Sequence, residues 1–386
     1  MLKYYLYYVL VYGGLGAFIP YIVPYLEGSL NLSVTQIGII TSIPSIIGIL
    51  VVPLWGIITD ITKKDKKILG ICVAINCLIM GMYSSVKLFP VLLIVATLAE
   101  AFRYAISPLA DNITTDYCKH KNLNYGIIRS GGSVGFALVS FLTGQLIKIT
   151  SNSRIIFLVY IILFVISLVV LPFLDSKKYD GKEEKLEGST MKRDLKELIK
   201  DKSYLWLLAI VICTISISEV TNAYQGLYLI DLGASQGDIG ILVIFTALPE
   251  IFFMSKINGI VLKYGYKKVF KIGILTFLVR WMTCLFATSP MMFIFTAPLT
   301  ALAFSIMLVA YIGYIKEKFS SEIQATALTL TSMAIGISSA LIKLPVGLGI
   351  DMFGLNTIYI LSIVITCLGF IICSIKKESK SIKAIG

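Results

Sequence analysis

Long apolar runs alternate with short polar segments along the whole chain. A helix needs about 20 apolar residues to cross a bilayer core. Runs of that kind fall at 4–27, 36–59, 68–86, 91–115, 126–147, 155–174, 204–230, 238–262, 269–288, 291–315, 325–348 and 357–375. The pattern predicts an all-α polytopic membrane protein with twelve transmembrane helices. The first run holds Gly13, Gly14, Gly16, Pro20 and Pro24. Membrane helices tolerate such residues because neighbours satisfy the freed backbone groups and small residues let helices approach closely. This run is longer than the apolar region of a secretory signal and lacks a small-residue cleavage site, so it reads as a retained span. Residues 175–203 form the one long polar stretch, with charges of both signs and no apolar core. It reads as a cytoplasmic linker between an N-terminal bundle of six spans (1–174) and a C-terminal bundle of six (204–386). Its end, over 191–200, is predicted as an amphipathic surface helix.

Composition narrows the class. Of 386 residues, 57% are apolar and 15% charged, against about 45–50% and about 25% in soluble chains. The excess apolar surface must face lipid. The net charge of +12 could suggest nucleic acid, but its distribution excludes that. With the N-terminus placed in the cytoplasm, nearly all Lys and Arg outside the spans fall on the inner side. Only Lys87, Lys148 and Arg154 face the other way. The positive-inside rule then puts both termini in the cytoplasm of a multi-pass cell-membrane protein. The seven cysteines lie in or beside apolar runs without CxxC spacing, and His120, the sole histidine, sits in a polar loop. Neither a metal site nor a cofactor is expected. HExxH and Walker patterns are absent, which argues against a zinc hydrolase of that type and a self-contained ATP-driven pump. A channel is disfavoured because no filter segment repeats.

The halves match weakly at a spacing of about 203 residues: Gly56 with Gly259, Lys64 with Lys267, Gly144 with Gly347, and Tyr25-Leu26 with Tyr228-Leu229. One residue of loop shift pairs Ile37-Gly38-Ile39 with Ile239-Gly240-Ile241. Together with the six-plus-six division, this predicts two parallel repeats with a substrate site near the midplane.

The segment PLWGIITDITKKDKK, with Gly56, Asp60 and the lysines through Lys64 and beyond, resembles the loop 2–3 signature of the major facilitator superfamily. Ile61 replaces the expected Arg, and NGIVLKYGYKK is a degenerate second copy. YGIIRSGGSVGFALVSFLTGQLI, YLIDLGASQGDIG, Pro249-Glu250-Ile251 and Arg280-Trp281 resemble the lactose permease, phenylpropionate permease and nucleoside–proton symporter branch. The resemblance implies alternating access by two six-helix bundles, often proton-driven, with Gly56, Asp60 and Lys64 as gating elements. It also implies that Asp111, late in span four, and Arg129, early in span five, bind substrate. Span ten lacks the His and Glu that couple protons in lactose permeases, so coupling must use other residues. The proline-containing signature of drug–proton antiporters is absent, which favours uptake over efflux.

Ionisable groups inside spans cost about 2.5–3.5 kcal/mol each and need a partner or a wet cavity. Glu250 and Arg280 each lie fifteen residues from Gly265, which puts both about 22 Å from that turn. They are expected to pair across one hairpin, either as a proton-coupling couple or as a permanent ion pair. Asp111 and Arg129 share a depth nearer the cytoplasm, which also suits a gate or anchoring pair. Glu100 and Arg103, at i,i+3, are expected as a structural pair. Glu219 and Lys343 fall at comparable depths and are the second coupling candidates; Lys256 can snorkel. Asn222, Tyr224, Gln225 and Tyr311 are candidate substrate contacts, with Tyr12 and Tyr314 as further cavity-lining candidates, because aromatic walls with amide donors suit small polar or aromatic solutes. Tyr4 and Tyr8 could also line the cavity but are expected in the interfacial aromatic belt. The sequence predicts a monomeric secondary transporter that takes up a small molecule with a proton. Efflux or exchange on the same fold, and a non-transporting scaffold or sensor, are the alternatives.

Overall fold

A computed structural model describes residues 1–175 and 197–375. Most of the 175–203 linker, and most of the surface helix expected at 191–200, lie outside the described residues.

The first half comprises α1 (Leu2–Phe18), α2 (Ile22–Gly28), α3 (Val34–Thr62), α4 (Asp65–Tyr83), α5 (Phe89–Lys121), α6 (Tyr125–Thr150) and α7 (Ile155–Val170). The second comprises α8 (Lys202–Val211), a π-helical turn (Ile212–Ser216), α9 (Ile217–Asp231), α10 (Gln236–Tyr264), α11 (Tyr266–Leu285), α12 (Pro290–Phe295), α13 (Pro298–Lys318), α14 (Ser321–Phe353) and α15 (Thr357–Ile375). Among the described residues there is no strand, and eleven helical stretches are long and apolar enough to cross a bilayer. The twelfth expected span is α11. It has the length, at 20 residues, but Lys267, Lys268, Lys271 and Arg280 dilute its apolar character.

Local chemistry sets the boundaries. Ser33 and Gln36 form a reciprocal capping box at the start of α3, which satisfies two otherwise orphaned donors. Asp201 caps α8 by accepting from the Ser203 and Tyr204 amides. The first span breaks between α1 and α2, where Pro20 and Pro24 cannot donate to the preceding turn. The large apolar side chains left exposed, such as Leu78 (72%) and Val169 (62%), lie along the spans and face lipid.

The described chain forms two compact units. The first contains the first six spans together with 223–244 and 343–352; the second contains the remainder of the second half. Thus α9, α10 and α14 each pass from one unit into the other. In the first unit α1 lies directly on α6. A Cβ at Gly135 would collide with the Val9 carbonyl, and one at Gly13 would come within 2.9 Å of Val139. Asn76 ties three helices of this unit together: its amide donates to the Ala99 carbonyl at 2.8 Å and accepts from the Tyr160 hydroxyl at 2.6 Å. In the second unit α11 packs against α13 and α15, and the Trp206 indole of α8 donates to the Ile372 carbonyl of α15 at 3.1 Å.

Candidate functional site

Helices α1, α5 and α6 bring one polar cluster together in the first unit. The Tyr8 hydroxyl donates to Asp111 Oδ1 at 2.5 Å, and Arg129 Nε stands 3.6 Å from the same oxygen. Arg129 Nη2 donates to the Tyr12 hydroxyl at 2.6 Å, which donates in turn to Ser107 Oγ at 2.9 Å. The guanidinium lies over the Tyr12 ring at 4.1 Å and the Tyr8 ring at 5.4 Å. Gly132 makes room for it, since a Cβ there would sit 2.8 Å from Arg129 Nη1. The Asp111 and Arg129 side chains are 34% and 33% exposed, so both can reach a solute. The cluster thus joins two near-parallel rings, a planar five-donor cation and a carboxylate acceptor. Tyr8 is 1% exposed and Tyr4 0%. Neither sits in a lipid-facing belt: Tyr8 belongs to the cluster, and Tyr4 stacks on Tyr117 at 4.1 Å.

Beside this cluster, Arg103 Nε donates to Glu100 Oε2 at 2.8 Å, and a second contact comes from Nη2. The Arg103 guanidinium covers the Tyr104 ring at 4.6 Å. The i,i+3 pair forms as its spacing predicts.

A second feature of the first unit is a seam at the end opposite the α3–α4 and α5–α6 turns. A Cβ at Gly347 of α14 would lie 2.8 Å from the Val34 carbonyl of α3, and one at Gly38 would lie 3.0 Å from the Lys343 carbonyl. On the α6–α10 side, a Cβ at Gly144 would lie 2.8 Å from the Gln236 carbonyl, and one at Gly240 would lie 2.7 Å from Phe141 Cα. The glycines paired by the internal repeat therefore build matching close contacts. Asp351 of α14 completes the α3 N-terminus, accepting from the Val34 amide at 3.0 Å, the Thr35 amide at 2.8 Å and the Thr35 hydroxyl at 2.5 Å. Tyr224 is buried in this seam, its hydroxyl donated to the Lys343 carbonyl at 3.2 Å. At the opposite end of this unit, a Cβ at Gly56 would meet nothing within 4 Å, and Asp60 and Lys64 are exposed.

The second unit holds Glu219, Glu250, Arg280, Asn222 and Tyr311. The pairing of Glu250 with Arg280 does not form. Arg280 is 2% exposed and points into the α12–α13 turn. There Nε donates to Thr300 Oγ1 at 3.1 Å and Nη1 to the Phe293 carbonyl at 2.9 Å, with Thr296 also accepting. Equal depth on two helices does not place two side chains face to face, and nearby oxygens satisfy the guanidinium instead. Glu250 is half-buried and within electrostatic range of Glu219. Tyr311 is buried, whereas Asn222 and, in the first unit, Gln225 are half-buried.

The MFS_1 like family profile matches residues 1–361. The chain belongs to that family. It is a major facilitator membrane transporter, not an enzyme. It is 29% identical over 367 residues to the uncharacterized transporter YwbF of Bacillus subtilis, covering 94% of this chain and 90% of that one. The maltose permease of Geobacillus stearothermophilus is 24% identical, with 95% and 92% covered, and the sucrose permease of Escherichia coli is 23% identical, with 92% and 89% covered. Among solved structures, a mutant form of the nucleoside transporter NupG superposes with a TM-score of 0.84 at 16% identity, covering 96% of this chain and 98% of that one. A bacterial homolog of the human lysosomal transporter Spinster gives 0.73 at 16% identity, with 96% and 95% covered. These likenesses fix the transporter's fold.

Ser107 and Asp351 are the polar residues of this transporter that sequence reasoning missed. Ser107, one residue before Pro108, gives no charge signal. Asp351 lies at a span end, where a carboxylate reads as a solvated loop residue.

Proposed function

We propose that this transporter takes up a hydroxyl-rich solute of the sugar or nucleoside class together with a proton, by alternating access. The observation that carries the reading is the Tyr8–Tyr12–Asp111–Arg129 cluster, in which Tyr12, Asp111 and Arg129 are partly open and Tyr8 backs them from a buried position. Aromatic faces stack on sugar C–H surfaces or on a base, while Arg129 and Asp111 offer a donor fork and an acceptor for hydroxyls. Relatives named for maltose and sucrose, and a structural neighbour named for nucleosides, support that class. The packed glycine seam and the Asp351 cap serve as the outer gate; Gly56, Asp60 and Lys64 serve the inner one.

Coupling falls to Glu250, with Glu219 as its neighbour. Arg280 is engaged with α12–α13 and does not neutralise Glu250. A half-buried carboxylate inside a span can take up or release a proton when its access to water changes with conformation. The proton bound with the solute is then released when the conformation changes its solvation.

The test is Glu250→Gln in proteoliposomes. The variant is expected to bind solute and exchange it between equal pools while losing accumulation against a gradient. Accumulation at the unaltered level would remove Glu250 from coupling, and loss of both binding and exchange would make it a solute ligand. Glu219→Gln run in parallel assigns the proton between the two.

A further inference from the structure

At the end of the first unit that the charge pattern assigns to the cytoplasm, α4, α5 and α7 enclose a cavity of about 610 Å³. We propose that this cavity binds the phosphate of an anionic phospholipid headgroup.

Its charge is the first argument. Lys63, Lys64, Lys66 and Lys67 line it together with Asp65, Asp116 and Asp175. Four lysines face three aspartates, and Asp175 is held by Lys3 of α1, at 2.7 Å. Lys66 is fixed in place by the Pro172 and Leu174 carbonyls, at 2.6 and 2.7 Å. Asp175 reports the local potential: its carboxyl is held below the ordinary range by the Lys3 hydrogen bond, with Lys66 and Lys121 adding to the effect. Helix α4 also begins here without a side-chain cap, and the positive end of a helix favours an anion.

The apolar surface is the second argument, and it selects lipid over a free anion. Ile113, Leu168 and Leu171 form part of the lining. Just outside, Phe173 is 67% exposed and Val169 62%, in position to lie along acyl chains. A soluble phosphate would use the lysines and gain nothing from these surfaces. A phospholipid uses both, as basic pockets between spans at the cytoplasmic side do.

Native mass spectrometry of the full chain tests the proposal, with phosphatidylglycerol and phosphatidylcholine offered in equal amounts. Phosphatidylglycerol is expected to be retained in preference. Lys67→Gln is expected to weaken that retention about fivefold, and Lys66→Gln with Lys67→Gln about 25-fold, as each lysine contributes a similar factor near anionic lipid. Lys67 is exposed, so its single variant decides the matter if the double variant fails to fold. Retention within twofold of the unaltered protein in the Lys67 variant overturns the site. Complete displacement of the lipid by millimolar inorganic phosphate also overturns the lipid assignment and leaves a free-anion site.

Discussion

Replacing Asp351 by alanine tests the outer gate at one residue. Four donors begin α3. The Ser33 and Gln36 amides are satisfied within the capping box, and the Val34 and Thr35 amides are satisfied by Asp351 alone. The carboxylate belongs to α14, so these bonds exist only while the seam is closed. Bonds to a charged acceptor are worth about 1.5–3 kcal/mol, and a lost cap costs about 0.5–2 kcal/mol. Asp351 is exposed, and water can reach the freed amides in the open state, so a net loss of about 1–2 kcal/mol is expected. That moves the closed-to-open ratio about 5–30-fold towards open. The readout is the rate at which an impermeant maleimide, added outside, labels a cysteine introduced at Thr41 of α3, after the seven cysteines of the chain are replaced. Asp351→Ala is expected to raise that rate by the same factor, and Asp351→Asn, which keeps one acceptor oxygen, by less. A labelling rate and an uptake rate both within twofold of the unaltered protein would refute the gate.

Other outcomes follow from the same geometry. Arg129→Lys removes the planar fork over Tyr12 and is expected to raise the transport KM about tenfold or more; an unchanged KM would take Arg129 out of the solute site. Gly240→Val forces a side chain against Phe141 and is expected to open the outer seam, read by the same maleimide assay; unchanged labelling would show that the contact is dispensable. Arg280→Met removes the hydrogen bonds to Thr300, Phe293 and Thr296, at a cost of about 1–3 kcal/mol, so thermal stability in detergent should fall while the affinity of the folded fraction holds. Collapsed affinity at unchanged stability would make Arg280 a ligand. Asp175 is depressed by Lys3, so its contribution is present above the unfolded value of about 3.9 and is lost as pH falls through the lower folded value. The stability difference between the unaltered protein and Asp175→Asn should therefore be flat from about pH 5 to 8 and shrink only below about 4.

The candidate site was legible in the sequence to different degrees. Glu100 and Arg103 were readable because i,i+3 neighbours share a helix face whatever surrounds them. Asp111 and Arg129 were readable in part, since equal sequence distances from His120, at the end of α5, suggested one level. Tyr8 was not, because α1 is apolar all round and offers no polar face to indicate its rotation. The expected Glu250–Arg280 pair failed for a related reason: the guanidinium turned towards Thr300 and Phe293.

The sequence by itself determined the class of the protein and its all-helical, many-span fold. These depend on apolar length and on the fixed rise of a helix along its axis. Tertiary structure decided which residues meet. Asp351 caps α3 from 316 residues away, and Tyr8 and Tyr12 enclose Arg129 from another span. Such contacts depend on the rotation of each helix about its axis, and that rotation is set by how side chains and small residues interlock with neighbouring helices, which no single span encodes.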